Sequence, residues 1–421
     1  MKNKLLLLTL ACWAGQAGAQ SVQGTYGPSY IIQGFYAFEA NTMDNSLNTE
    51  WDIAFFTGGA QGAGIHVNEA AGSSGTELEL YEAPTSDFNA TISTGSLELR
   101  LYNDELSWEH GAFNANNDPG DPDDYGWGYY IQSQDAIIGD EVFVLKLRNG
   151  AYKKIQIVSL EQGIYTFKYA NLDGSAETVK TINRADFGSL AFFTFTGGGE
   201  VLDYFPQQWD LLFTRYSAPL DDGSPDPVNY LVTGTLSGYG VEVAKATGVD
   251  PQSVNFESYE DSLKSGLDVI GYDWKDFNLQ TLQWSLPGDR AYFVKTASGD
   301  VWKVIFTSFS GSSSGNFSFN REFVGNVSSS HEAETAFSSG LGVFPNPVQG
   351  ETTLAFSLRQ AGRVQVLMNN SLGQLAWSGR FEANEGFNAI ALPELAVPAG
   401  LYAISLQFEN GDVVTQMAIH Q

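Results

Sequence analysis

Trp51-Asp52-Ile53-Ala54-Phe55 and Trp209-Asp210-Leu211-Leu212-Phe213 are two versions of one phrase, and their surroundings repeat with them. Ahead of the first stands Tyr30-Ile31-Ile32-Gln33-Gly34-Phe35-Tyr36-Ala37-Phe38; ahead of the second, Leu190-Ala191-Phe192-Phe193-Thr194-Phe195-Thr196. Aromatic and β-branched residues dominate both, so each predicts a strand. Downstream, residues 142–147 and 152–157 flank Arg148-Asn149-Gly150, and residues 291–296 and 301–306 flank Ser298-Gly299. Asn-Gly and Ser-Gly between alternating runs are hairpin turns, because glycine enters positive φ without a Cβ clash. The order strand, Trp-Asp-x-x-Phe, long variable middle, hairpin therefore occurs twice. We read the body as two tandem β modules, residues 20–188 and 189–325.

Composition agrees with an all-β chain of more than one domain. The 421 residues include 45 Gly, 43% are apolar and 13% aromatic, which is ample for packed cores joined by tight turns. With 21 Lys+Arg against 49 Asp+Glu, the net charge of −28 argues against a nucleic-acid partner, since a polyphosphate needs a basic surface. The only cysteine, Cys12, lies in the N-terminal apolar run, so disulfides and thiol catalysis are not expected in the mature chain.

The N-terminus reads as a signal peptide, residues 1–19. Lys2 and Lys4 precede the apolar run Leu5-Leu6-Leu7-Leu8-Thr9-Leu10-Ala11, and Ala17-Gly18-Ala19 offers small residues for cleavage before Gln20. A lipoprotein would acylate Cys12, but Thr9 stands where such signals carry an aliphatic residue. No later segment is long and apolar enough to span a bilayer as a helix, so the mature chain should have no transmembrane segment.

Residues 326–340 shift to Ser, Glu and Ala and read as a linker. Beyond it, residues 341–421 form a block of alternating runs broken by Gly, Asn and Pro, the pattern of a small immunoglobulin-like β-sandwich. Its marks are Phe344-Pro345-Asn346-Pro347, Thr353-Leu354-Ala355-Phe356-Ser357-Leu358, Ser371-Leu372-Gly373-Gln374, and Pro398-Ala399-Gly400-Leu401-Tyr402. On these marks, with Pro345, Asn346, Pro347, Gly373, Gly400 and Tyr402 as motif positions, the block resembles the C-terminal sorting domain of the type IX (Por) secretion system. The resemblance implies an outer-membrane translocon and a sortase-like peptidase as partners, with lipopolysaccharide attachment or release to follow. The expected location is the outer-membrane surface or the extracellular space. The block lacks the basic residue often found at the end of such domains, finishing Met417-Ala418-Ile419-His420-Gln421.

The body resembles the HmuY-type haemophore family through its Trp-Asp-Ile-Ala-Phe strand, Thr214-Arg215-Tyr216, and the hairpin that begins at Tyr292. That resemblance implies an all-β fold and haem held by a side chain on each iron face. Haem iron takes His, Met, Tyr or Cys. Residues 197–325 contain no His, Met or Cys, whereas the first copy offers Met43, His66 and His110. His110 has a flanking glycine and nearby aromatics, and a neutral imidazole (unperturbed pKa about 6.5) ligates iron at pH 7. We take His110 as the haem-ligand candidate, with Trp108, Tyr125, Trp127 and Tyr129 as candidate walls of the cleft. The bland reading of His110 is a surface-loop imidazole, and of the aromatics, core and edge positions. His66 is expected on the exposed face of a strand, while Asp52 and Asp210 are expected to cap their adjoining turns.

The run 114–124 (Asn-Ala-Asn-Asn-Asp-Pro-Gly-Asp-Pro-Asp-Asp) gathers hard oxygen donors. Calcium takes about six to eight oxygens, so Asp118, Asp121, Asp123 and Asp124 are candidate calcium ligands. Neither this loop nor the weaker 221–226 has EF-hand spacing. Nucleophile elbows, zinc His pairs and phosphate loops are absent from the sequence, and we expect no enzyme. The expected function is ligand capture at the cell surface. The alternatives are an adhesive or structural surface protein without a ligand site, and a glycan-binding module stacking sugars on Trp108, Trp127 and Tyr129.

Overall fold

A computed structural model describes residues 19–59, 62–70, 76–220 and 228–327, and in the C-terminal region 337–344, 348, 352–358, 361–370, 374–392, 397–408 and 413–420. The expected signal peptide therefore lies outside the described residues but for its last position. The described chain is all-β: thirty strands in antiparallel sheets, with 3₁₀ turns of three residues as its only helices. No described helix is long and apolar enough to cross a membrane.

The chain forms two compact units, Met1–Val327 and Ser328–Gln421. Their boundary falls inside the expected 326–340 linker, although a strand already begins at Phe337. The expected division at 188/189 separates no units, and the sheet pairings explain why. Ile32–Ala37, from the first copy, pairs with Leu211–Leu220, which follows the second Trp-Asp. Reciprocally, Leu190–Thr194, from the second copy, pairs with Ile53–Phe56, which follows the first. Each copy lends its first strand to the other, so neither half can complete its sheets alone.

The large sheets close by the same exchange. Asn316–Asn326, at the end of the second copy, takes Gln20–Thr25 from the start of the first as its edge partner. In the matching sheet Ile164–Ala170 takes Thr178–Asn183, which precedes the second copy. The hairpins correspond in detail. Lys146 pairs with Glu79 across the sheet at 2.7 Å, and Lys295 with Glu242 at 2.8 Å. Gly150 and Gly299 sit at the two tips with φ of 81° and 87°, as the turn chemistry requires.

The join between the copies is aromatic. Trp51 packs edge-on against Phe192 (centroids 5.1 Å apart) and Trp209 against Phe35 (5.4 Å), while Phe35 and Phe192 meet at 5.9 Å. Both tryptophans are buried at corresponding positions, as the repeat predicts. Trp51 and Trp209 share one core cluster with Phe56, Trp108, Phe205 and Leu212.

Among its described residues the second unit has seven strands in sheets of three and four. Leu354, Phe356, Val364, Val366, Ile404 and Leu406 alternate inward to build a core of its own. Two faces packed on a private core make the sandwich expected from the sequence.

Candidate functional site

The Trp-Asp aspartates do not cap adjoining turns; each clamps the strand borrowed from the other copy. Asp52 N–H donates to Phe193 O at 2.8 Å, and its Oδ2 accepts Phe195 N–H at 2.7 Å. Asp210 N–H donates to Tyr36 O at 2.8 Å, and its Oδ2 accepts Phe38 N–H at 2.7 Å. A third bond also recurs, Asn68 N–H to Asp52 O at 2.9 Å and Gly238 N–H to Asp210 O at 2.7 Å.

There the likeness stops. Asp52 Oδ1 receives the Arg148 guanidinium at 2.8 Å, and the same group donates to the carbonyls of Trp51, Asn68 and Ala70. In the second hairpin the position of Arg148 is held by Ala297, two residues past Lys295 as Arg148 is two past Lys146. Among the described residues, no cation is paired with Asp210. Burial pushes its carboxyl up to about 6 against the pull of the Phe38 N–H, and the negative charges of Glu39 and Asp300 push the same way.

Beside Asp210 opens a cleft of about 700 Å³, lined among others by Glu39, Trp209, Tyr239, Thr296, Asp300 and Trp302. Its counterpart beside Asp52 measures about 410 Å³ and includes Arg148 in its wall. The larger volume falls within the range of roughly 300–1,000 Å³ usual for small-molecule sites. Among the described residues, no Lys or Arg lines the larger cleft.

The residues singled out in the sequence are dispersed. Trp127 is sealed in the first copy's core with its indole N–H on Ala63 O at 3.0 Å. Trp108 is buried in the join, donating to Ser237 O at 2.8 Å. Neither faces solvent, which removes both as walls of an open cleft and as a glycan platform. Tyr125 is half-buried against the core, and Tyr129 alone of the four is exposed. His110 is half-buried, with Nδ1 2.6 Å from Asp104 Oδ2 and Nε2 3.0 Å from Asn117 Oδ1. The Asp104 hydrogen bond raises its pKa above the ordinary imidazole value.

His66 is not on an exposed face. It is 1% exposed, with Nε2 2.8 Å from Trp108 O, and burial lowers its pKa to about 4. The four loop aspartates do not converge either. Asp124 accepts the N–H groups of Asp118 and Gly126, Asp118 that of Gly120, and Asp121 that of Asp123. Three of the four thus accept N–H groups of their own loop, and among the described residues no group of three or more His, Cys, Asp or Glu is placed to hold a metal ion. The weaker 221–226 loop lies outside the described residues.

Under the join lies a cavity of about 40 Å³ lined by Glu69, His66, Arg215 and Tyr216 among others. Glu69 is buried there, accepting Asn103 and Ser217 N–H groups at 3.0 and 3.1 Å. Burial pushes its carboxyl up to about 7 in spite of those bonds. A folded-state pKa above the unfolded value makes the protonated form the stabilising one. That stability is complete below about pH 4.5 and lost as pH rises through about 7. We expect a lower melting temperature at pH 8 than at pH 5 by near-UV circular dichroism, with a shallower pH dependence in Glu69→Gln. An equal slope in that variant would trace the trend to the net charge instead.

Of the sorting-motif positions, Pro345, Asn346, Pro347 and Gly373 lie outside the described residues. Gly400 opens the Gly400–Phe408 strand, and Tyr402 is buried with its hydroxyl donating to Pro398 O at 2.8 Å. The motif tyrosine thus fastens the turn before its own strand.

These features define an all-β protein of two compact units, the first carrying an acidic cleft. Residues 342–420, within the second unit, match the family described as the secretion system C-terminal sorting domain. The chain is therefore sorted through the type IX system, to the cell surface or the medium. No curated protein matches it. Among solved structures, apo PinO from Porphyromonas gingivitis shares 11% identity over 74% of this chain and 99% of its own, with a TM-score of 0.24. Dimeric latent PorU from Porphyromonas gingivalis shares 11% over 85% of this chain and 31% of its own, with a TM-score of 0.18. At those scores neither likeness informs the fold or the function.

Proposed function

We propose that this chain is a non-enzymatic binding protein, exported by an N-terminal signal peptide and delivered by its sorting domain, whose body captures a ligand in the cleft beside Trp209 and Asp210. Lipopolysaccharide attachment or release would follow removal of the sorting domain. The observation that carries the reading is the asymmetry between the clefts: one is occupied by the protein's own arginine, while its counterpart is larger and lacks that arginine. A structural protein under no demand for a ligand gains nothing by leaving a half-buried aspartate without a cation. Filling the cleft tests the reading. A bulky residue at Ala297 should abolish binding of whatever ligand the parent protein retains, and undiminished binding would remove the cleft.

Haem capture by His110 is the second reading, favoured by the Asp104 contact at Nδ1. A carboxylate there orients an imidazole and leaves Nε2 toward a metal, provided Asn117 gives way. On this reading, haemin added to the mature chain gives a Soret shift that His110→Ala abolishes. An unshifted Soret band in the parent protein removes haem and leaves the acidic cleft.

A further inference from the structure

We propose that the cleft beside Trp209 is a receptor for a guanidinium group, supplied by a free small molecule or by an arginine side chain of a peptide. This deepens the capture reading above and rests on it. The warrant is internal to the fold, because the same aspartate in the same strand clamp already binds a guanidinium in the other copy. There Arg148 meets one carboxylate oxygen of Asp52 at 2.8 Å and three carbonyls, at Trp51, Asn68 and Ala70. Trp209 and Asp210 line the second cleft, and the Asp210–Gly238 bond mirrors Asp52–Asn68, so Gly238 and Gly240 hold the register positions of Asn68 and Ala70. Ala297 supplies no side chain to occupy the place that Arg148 takes.

Two further observations point the same way. Glu39 and Asp300 line the cleft with Asp210, giving a field attractive to cations and hostile to anions. The Arg321 guanidinium, which lies over the Trp302 ring and donates to Gln20 and to the Phe38 carbonyl, forms no ion pair with a cleft carboxylate among the described residues. A planar fork of donors suits one carboxylate plus carbonyls in fixed directions, a geometry that a compact ammonium cannot fill at once.

The experiment is calorimetric titration of the mature chain at pH 8 with arginine amide, with a short glycine-flanked arginine peptide, and with citrulline amide as the neutral isostere. Arginine amide and the peptide are expected to bind and citrulline amide to give no heat. Tighter binding by the peptide assigns the source to polypeptide, and equal binding to a free small molecule. Asp210→Asn should weaken binding by at least about tenfold, the scale for losing one partner of a desolvated charge pair. Ala297→Arg should abolish it by installing the ligand that the first copy carries. Affinity should fall from pH 8 to pH 5 as Asp210 takes up a proton, with Glu39 and Asp300 the other cleft carboxylates and the Phe38 N–H the bond that opposes protonation.

Far-UV dichroism and melting curves of both variants establish that they fold, and Asp210→Asn keeps the test open if Ala297→Arg does not. No binding of arginine amide or peptide by the parent protein, or binding unchanged in both folded variants, overturns the proposal. Retention of some other ligand that Ala297→Arg blocks would overturn the guanidinium assignment and keep the capture site. Indifference of every retained ligand to Ala297→Arg would overturn both.

Discussion

Replacing Arg148 with alanine is expected to destabilise the body by about 3–5 kcal/mol, the scale for removing one partner of a buried ion pair. The pair is sealed, with the Arg148 and Asp52 side chains 14% and 9% exposed. Desolvation already pushes the Asp52 carboxyl up and the Arg148 guanidinium down, so neither charge is cheap to bury. Without the guanidinium, Asp52 keeps only the Phe195 N–H and the Thr194 hydroxyl, and the carbonyls of Trp51, Asn68 and Ala70 lose a donor. The variant gives Asp52 the surroundings that Asp210 has naturally, where the pKa stands at about 6. A carboxyl raised in the folded state loses stability as pH rises toward that value, so the deficit should be larger at pH 8 than at pH 5. A fall in melting temperature on the order of 10 °C at pH 8 is the expected reading. Arg148→Lys should lie between, since an ammonium meets the carboxylate but not three divergent carbonyls. A variant as stable as the parent at both pH values would show that the strand clamp holds without its cation.

The strand content, the hairpin tips and the duplication were legible because they rest on local chemistry. Gly150 and Gly299 need positive φ wherever their strands go, and the alternation around Trp51 and Trp209 reports burial directly. What no local pattern reports is partner choice. Ile32–Ala37 pairs with Leu211–Leu220 across most of the body, so a repeat in sequence was read as two modules when each repeat holds the other's strand. The same blindness displaced the aromatic wall. Trp108 and Trp127 looked like a platform because tryptophan is large and amphipathic, but each indole N–H finds a buried carbonyl, at Ser237 and Ala63, which allows full burial. The loop aspartates looked like calcium ligands because Asp supplies oxygens. In a Pro- and Gly-broken run those oxygens instead accept nearby N–H groups. The cleft was within reach. Aligning the hairpins on Lys146 and Lys295 sets Arg148 against Ala297, and a charge lost from one copy beside a retained aspartate is a signal in the sequence alone.

Truncation after Gly340 is expected to leave a folded body that no longer reaches the cell surface, a loss approaching completeness. The folding half of the expectation rests on the two compact units, Met1–Val327 and Ser328–Gln421, and on separate cores. The body's sheets are completed within itself, since Gln20–Thr25 closes on Asn316–Asn326 and leaves no strand to be supplied from beyond Val327. A unit with its own core is expected to fold alone. The delivery half rests on residues 342–420, which match the sorting family and hold the turn at Pro398 fastened by Tyr402. The two halves separate experimentally. Melting curves of purified truncated and full-length chains should give the same transition for the body, while protease shaving of intact cells should digest only the full-length form. Tyr402→Phe offers the finer test, because it removes a single hydroxyl from a buried ring. Leaving the Pro398 carbonyl unpaired should cost about 1–3 kcal/mol of the second unit alone, lowering surface delivery with the body's transition unmoved. Surface display of the truncated chain at the normal level would break the link between this domain and export, whatever the body binds.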